Sequence, residues 1–139
     1  MPFANRLALL TAVLVSLMRG DAVASARACV IFDDPADLYE LSEMVFRGTV
    51  LSVEPTGVVG EHVITHVARF QIVRVWKGTV SRMLDVGTTE AFEPGQEYVV
   101  FAGGAPRPST SLLCQSAELV SKSRKKLDWL ADKPSRPAG

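Results

Sequence analysis

Glu61-His62-Val63-Ile64-Thr65-His66-Val67-Ala68-Arg69-Phe70-Gln71-Ile72-Val73-Arg74-Val75-Trp76-Lys77-Gly78 is the stretch that decides how this chain is read. Val, Ile, Thr and aromatic side chains dominate residues 61–76, the composition of a strand and not of a helix. Alternation puts Ile64, Phe70, Ile72 and Trp76 on one face and Val63, Val67, Val73 and Val75 on the other. Both faces are half apolar, and a strand this long is expected to bend or bulge partway, as barrel strands do. Lys77-Gly78 closes it with a turn.

Upstream, Val45-Phe46-Arg47-Gly48-Thr49-Val50-Leu51-Ser52-Val53-Glu54 is β-branched and partly alternating and stops at Pro55-Thr56-Gly57, which predicts a strand followed by a turn. Before it, Asp33-Asp34-Pro35-Ala36-Asp37 opens a short helix. Asp34 suits the N-cap, Pro35 the first helical position, and Leu38, Leu41 and Val45 recur at helical spacing. Downstream, Val80 to Val86 predicts a third strand, Glu93-Pro94-Gly95 a turn, and Tyr98-Val99-Val100-Phe101-Ala102 a fourth, central strand. A Gly/Pro loop from Gly103 to Pro108 leads to a last strand around Ser111 to Cys114. A helix from Ser121 to Ala131 follows, with Leu127 and Leu130 as its apolar contacts. Residues 132–139, including Lys133-Pro134-Ser135-Arg136-Pro137, hold no core-forming side chain and are expected to be disordered. Five strands at regular spacing with a helix at either end predict a mainly β domain over residues 29–131. At this size a five-stranded OB-type barrel solves the edge-strand problem, with a sandwich as the rival for the same periodicity.

The first 28 residues read as a secretory leader. Arg6 supplies the positive start, Leu7 to Met18 is a short apolar run, and small residues at Ala24, Ala26 and Ala28 offer three cleavage points. The apolar run is too short to span a membrane. A secreted or periplasmic location follows as the expectation. In an oxidising compartment the two cysteines, Cys29 and Cys114, are expected to pair. The loop they would close is about 86 residues long, for which the chain-entropy model gives about 4–5 kcal/mol. A lipid anchor on Cys29 is disfavoured: Ala26-Arg27-Ala28 lacks a large aliphatic residue and carries an arginine.

Lys and Arg balance Asp and Glu at 15 each over the whole chain, which argues against electrostatic capture of nucleic acid. The late cations Lys122, Arg124, Lys125, Lys126, Lys133 and Arg136 read as a solvated helix face and tail. No Gly-x-Ser-x-Gly elbow and no glycine-rich phosphate loop occurs, so no enzyme activity and no cofactor are expected. His62 and His66 stand four apart, but on a strand that spacing is about 13 Å, too far to share a metal, and no metal site of the chain's own is expected. Phe70, Trp76, Tyr98 and Phe101 are the candidates for ligand stacking on a barrel face, with core packing as the competing use. Trp129 is expected to dock on the barrel. Arg47, Arg69, Arg74 and Arg82 are too scattered to form a stripe.

Taken in order, Cys29 and its short helix, Val45-Phe46-Arg47-Gly48-Thr49-Val50, Phe70-Gln71-Ile72-Val73-Arg74-Val75-Trp76-Lys77-Gly78, Gly95-Gln96-Glu97-Tyr98-Val99-Val100-Phe101-Ala102 and Cys114 resemble the bacterial relatives of the tissue inhibitors of metalloproteinases. The resemblance runs from Cys29 to about Ala131 and implies a netrin-like OB barrel that acts by protein binding as a monomer. It also implies a mechanism: the α-amine and carbonyl of a mature N-terminal cysteine chelate the zinc of a target metalloproteinase, and the next side chain fills the pocket beside the metal. An uncharged amine and a carbonyl are competent zinc ligands and displace the activating water. Arg27, Ala28, Cys29 and Val30 are then the candidate protease-contacting residues. The chain departs from the family's Cys-x-Cys start, because Thr88 stands where the family carries a mid-domain cysteine. Cys29 then matches the second cysteine of that motif, paired with Cys114, and Arg27 takes the first position, where cleavage after Ala26 would expose its amine. A non-inhibitory envelope module that kept the barrel and lost the chelating cysteine is the alternative. Its contacts would come from the Gly103 to Pro108 loop or the basic last helix. A ligand-binding OB domain is a third reading, and it requires Trp76 or Tyr98 to be exposed.

Overall fold

A computed structural model describes residues 30–32, 34–56, 64–89, 91–104, 108–110, 113–114 and 116–139. Its frame is a pair of long antiparallel strands, β2 (Met44–Pro55) and β3 (His66–Lys77). β4 (Met83–Thr88) lies on the far side of β3, β5 (Glu97–Ala102) on the far side of β2, and β7 (Ala117–Leu119) beyond β5. The order is β4-β3-β2-β5-β7, and β8 (Arg136–Pro137) adds a sixth strand on β3. The protein is mainly β: this six-stranded antiparallel sheet is not closed by any ladder among the described residues, and two helices accompany it. Isolated bridges join Ser109 to Gly87 of β4 in parallel sense and to Gly103 in antiparallel sense.

Separate from that sheet, β1 (Val30–Ile31) pairs in parallel with β6 (Leu113–Cys114). α1 (Pro35–Leu41) starts as expected. The Asp34 carboxylate accepts the Ala36 N–H at 3.0 Å and Pro35 occupies the first turn. A 3₁₀ turn (Val120–Lys122) leads into α2 (Arg124–Leu130), so the single expected helix from Ser121 to Ala131 is two short pieces. They meet at Ser123, whose hydroxyl donates to the Leu119 carbonyl at 2.7 Å.

The expected irregularity of the long strand is present. Arg47 pairs with Arg74 but Gly48 with Ile72, which leaves Val73 as an extra residue on β3. Burial follows this phase change: Ala68, Phe70 and Ile72 point inward, then Val75 does, while Val73 is 50% exposed. A second extra residue, Trp76, moves to the opposite side of the sheet. The bulges explain why the sequence showed two half-apolar faces, since each face serves a different core along its length.

Two hydrophobic cores result. On one side of the sheet Phe46, Val50, Phe70, Val75, Val86, Phe92, Tyr98 and Val100 pack together. Their rings meet edge to face, Phe70 with Phe46 at 5.5 Å, Phe70 with Phe92 at 5.3 Å and Phe92 with Tyr98 at 4.8 Å between centroids. On the other side Val45, Val99 and Phe101 receive Leu38 of α1 and Leu130 of α2. β5 contributes to both, and Tyr98 to Ala102 are all buried, as a central strand requires.

Two expectations differ from the structure. The last strand, placed around Ser111 to Cys114, is described at Leu113–Cys114, where it pairs with β1 and not with the main sheet; the strand that extends the main sheet is β7. Three residues of alternation, Ala117-Glu118-Leu119, are too few for periodicity to register. Within residues 132–139, expected to be disordered, Arg136–Pro137 pairs antiparallel with Arg74 and Val75 of β3 as β8. β4 leaves β3 at Gln71, so the far half of β3 offers unsatisfied main-chain groups, and a tail poor in apolar side chains is ordered through its backbone.

Candidate protein-binding edge

Of the residues singled out as protease-contacting, Val30 is the one the structure describes. Arg27, Ala28 and Cys29 lie outside the described residues. Val30 opens β1, whose partner strand carries Cys114, with Ile31 opposite Cys114 and Val30 opposite Leu113. The strand that follows Cys29 is therefore a neighbour of the strand that carries Cys114, and the expected pairing of Cys29 with Cys114 lies outside the described residues.

Immediately after β1, Phe32 and Pro35 form one wall of a cleft of about 430 Å³. The other wall is Glu118, Lys122, Ser123, Lys125 and Lys126, from β7 through α2. Lys126 was read from sequence as part of a solvated face, yet it is only 9% exposed. Its ammonium contacts a Glu118 carboxylate oxygen at 3.1 Å and lies 5.8 Å from the Phe101 ring centroid. No sequence period marks it, since the partner that buries it is eight residues away on a different element. The cleft is thus apolar on the α1 side and cationic on the α2 side.

Behind it the helices are clamped. Tyr39 meets Trp129 edge to face at 5.3 Å, and the Tyr39 hydroxyl donates to the Trp76 carbonyl at 3.2 Å. Trp129 therefore docks as expected, against α1 as well as the sheet. Lys77 donates to the carbonyls of Tyr39 at 2.6 Å and Glu40 at 3.2 Å. Gly78 follows with φ +84, and a Cβ there would sit 2.6 Å from the Glu43 carbonyl oxygen, so the turn that ends β3 requires glycine.

The other candidates are structural. Phe70 and Phe101 are fully buried, and Tyr98, 6% exposed, accepts the Glu93 N–H on its hydroxyl at 3.0 Å. Trp76 is half-buried among the residues of the helix-side core. This leaves no aromatic platform on β3 and β5 for stacking a ligand. His66 shares a contact of 2.9 Å with the Thr65 hydroxyl, and His62 lies outside the described residues. Thr88, at the family's mid-domain cysteine position, is buried and accepts a hydrogen bond from the Thr110 hydroxyl at 3.0 Å. Arg47 meets Glu97 and Arg69 meets Asp85 across the sheet. Hydrogen bonding to these partners holds both guanidiniums above their ordinary pKa. Among the described residues no group of three His, Cys, Asp or Glu is placed to hold a metal ion, and no helix is long and apolar enough to cross a membrane. No protein-family model and no curated protein matches the chain.

Proposed function

We propose that this chain is an exported, disulfide-linked netrin-like OB-type protein that binds another protein through the edge where its mature N-terminus enters the domain. A zinc metalloproteinase is the target class. The observation that carries this reading is the placement of β1. It follows Cys29 directly, stands apart from the main sheet on the strand bearing Cys114, and opens onto the cleft between α1 and α2. A mature N-terminus would lead directly into a strand already paired with β6, so less ordering entropy would be lost on binding a partner's active site. The barrel reading is supported by the strand order and by the parallel bridge from Gly87 to Ser109, which links the outer strand β4 to the segment following β5.

The chemistry required is simple. A neutral α-amine and the adjacent carbonyl occupy two positions on the target's zinc, and the following side chain enters the neighbouring pocket. With Thr88 replacing a cysteine, the amine belongs to Arg27 or to Cys29, depending on where the leader is cut. Intact mass of the secreted protein, with and without reduction and alkylation, reports both the cut and the bridge. Inhibition of a panel of zinc endopeptidases before and after α-amine acetylation then tests the mechanism. The expected result is a bridged chain starting at Arg27 or Cys29 whose inhibition disappears on acetylation. Binding that survives acetylation and ignores zinc removal would replace this reading with the non-inhibitory module.

A further inference from the structure

β3 is paired unequally along its length. From His66 to Gln71 it is matched residue by residue with β4, and the Ile72 N–H reaches the Arg82 carbonyl at 2.8 Å. From Val73 to Lys77 the same edge is paired, among the described residues, with β8 alone, through Arg74–Pro137 and Val75–Arg136. Pro137 has no N–H to give, so this ladder is short of a donor by construction.

The fit is also poor in charge. Arg74, Lys77 and Arg82 line this part of the edge, and residues 133–139 bring Lys133 and Arg136 with no Asp or Glu side chain. What holds the tail is neutral or aromatic. The Arg74 guanidinium donates to the Ser135 hydroxyl at 2.9 Å, Arg136 donates to the Gly78 carbonyl, and the Lys133 ammonium sits 4.5 Å from the Trp129 centroid. Ala138 packs against the sheet's main core. Towards the Gly78 end the main-chain carbonyls of Glu40 and Glu43 border the turn.

We propose that Val73 to Lys77 of β3 is a docking edge for an extended, acidic segment of a partner protein, and that residues 133–139 are a built-in strap that such a segment displaces. Main-chain hydrogen bonds to an exposed strand edge supply affinity, and side chains at alternate positions supply selectivity. A glutamate opposite Arg74 would stand where Pro137 now does and give the guanidinium a carboxylate, and a residue with an N–H would replace proline in the ladder. This surface is independent of the N-terminal mechanism, and either can fail alone.

The test uses three forms of the mature protein: the full chain, a chain ending at Asp132, and the full chain carrying Ser135→Ala and Arg136→Ala. The probe is a capped, fluorescein-labelled Thr-Val-Glu-Val-Thr peptide, with a lysine-for-glutamate version as its counterpart. If the strap is closed about nine-tenths of the time, removing it raises the apparent affinity about tenfold. The expected result is binding in the order truncated, double variant, full chain, with the glutamyl peptide preferred and the preference falling as salt rises. Amides of Val73, Val75 and Lys77 should gain protection from hydrogen exchange on binding. Should the truncated chain fail to fold, judged by circular dichroism, the double variant decides. Equal binding of the two peptides, or no protection at those amides in any form, overturns the proposal. Edge-to-edge dimerisation of the truncated chain that excludes the peptide overturns it in favour of a second copy as occupant.

Discussion

The two cores on either side of the sheet are built from different materials. The one lined by Phe46, Phe70, Phe92 and Tyr98 is drawn almost wholly from strands and contains no charged side chain. The one beneath α1 and α2 is half helical and bordered by charge: Lys126 approaches Phe101, Lys77 and Lys133 approach Tyr39, and Lys133 approaches Trp129. The first side is closed to partners because every aromatic ring already has aromatic neighbours. The second keeps cations over ring faces, a pairing weaker than ring burial and one that solvent or a ligand can compete for. The proposed N-terminal edge and the cleft lie with the second face, while the strap touches both, with Lys133 over Trp129 and Ala138 against the strand-side core.

The sharpest test of that division removes the ring that the strand-side cluster shares. Phe70 touches Phe46, Phe92 and Tyr98 and is fully buried. Phe70→Ala should cost about 3–5 kcal/mol and abolish cooperative unfolding in urea for a domain this size. The matched change on the other face, Leu130→Ala, should cost about 2–4 kcal/mol. The comparison breaks if both variants lose structure uniformly. It sharpens if Leu130→Ala shows early hydrogen exchange in α1, α2 and the strap while β2 and β3 stay protected.

These two faces were not equally legible in the sequence. Strand-side positions announced themselves through β-branched and aromatic alternation, and Val45 to Glu54, Phe70 to Lys77 and Tyr98 to Ala102 all fall where strands form. The capped start of α1 was legible for the same reason, since Asp34-Pro35 is a local signal read within one turn. Lys126, β7 and the strap were not. Each takes its role from a partner distant in sequence: Glu118 for Lys126, β5 for Ala117–Leu119, and an edge vacated by β4 for Arg136–Pro137. Composition ranks a Lys/Pro/Ser tail as unable to build a core, which is correct, and says nothing about main-chain pairing. The candidate site therefore emerged from sequence only as far as Val30 and Cys114, and the cleft beside them came from packing.

Two smaller changes probe the joint between the faces. Gly78→Ala introduces both a left-handed strain and a close contact with the Glu43 carbonyl, where the turn after β3 packs on the connection between α1 and β2. It should cost about 2–3 kcal/mol, visible as a lowered urea midpoint at unchanged slope. A near-neutral result would mean that the turn relaxes freely and does not fix α1 to the sheet. Asp34→Ala removes a single capping bond at the head of α1 and should cost about 1 kcal/mol. Because that helix packs only on the helix-side core, the loss should appear in α1 exchange rates before it appears in global stability.

The smallest effect belongs to the ion pair of Arg47 and Glu97, which lies on the sheet with both side chains about a third exposed. Hydrogen bonding to Glu97 raises the guanidinium's pKa in the folded state, and a raised folded value means that its stabilisation is fully present below the unfolded value, which is already far above neutral, and is lost only as pH rises through the folded one. From pH 5 to 9 the guanidinium therefore adds no pH dependence. Solvent screening keeps the contribution of such a pair below about 1 kcal/mol. Arg47→Ala should accordingly shift the urea midpoint slightly and by the same amount at both ends of that range. A cost above about 2 kcal/mol would place this pair among the structural contacts of the strand side, and the division between a face that holds the fold and a face that meets partners would no longer follow the line of charge.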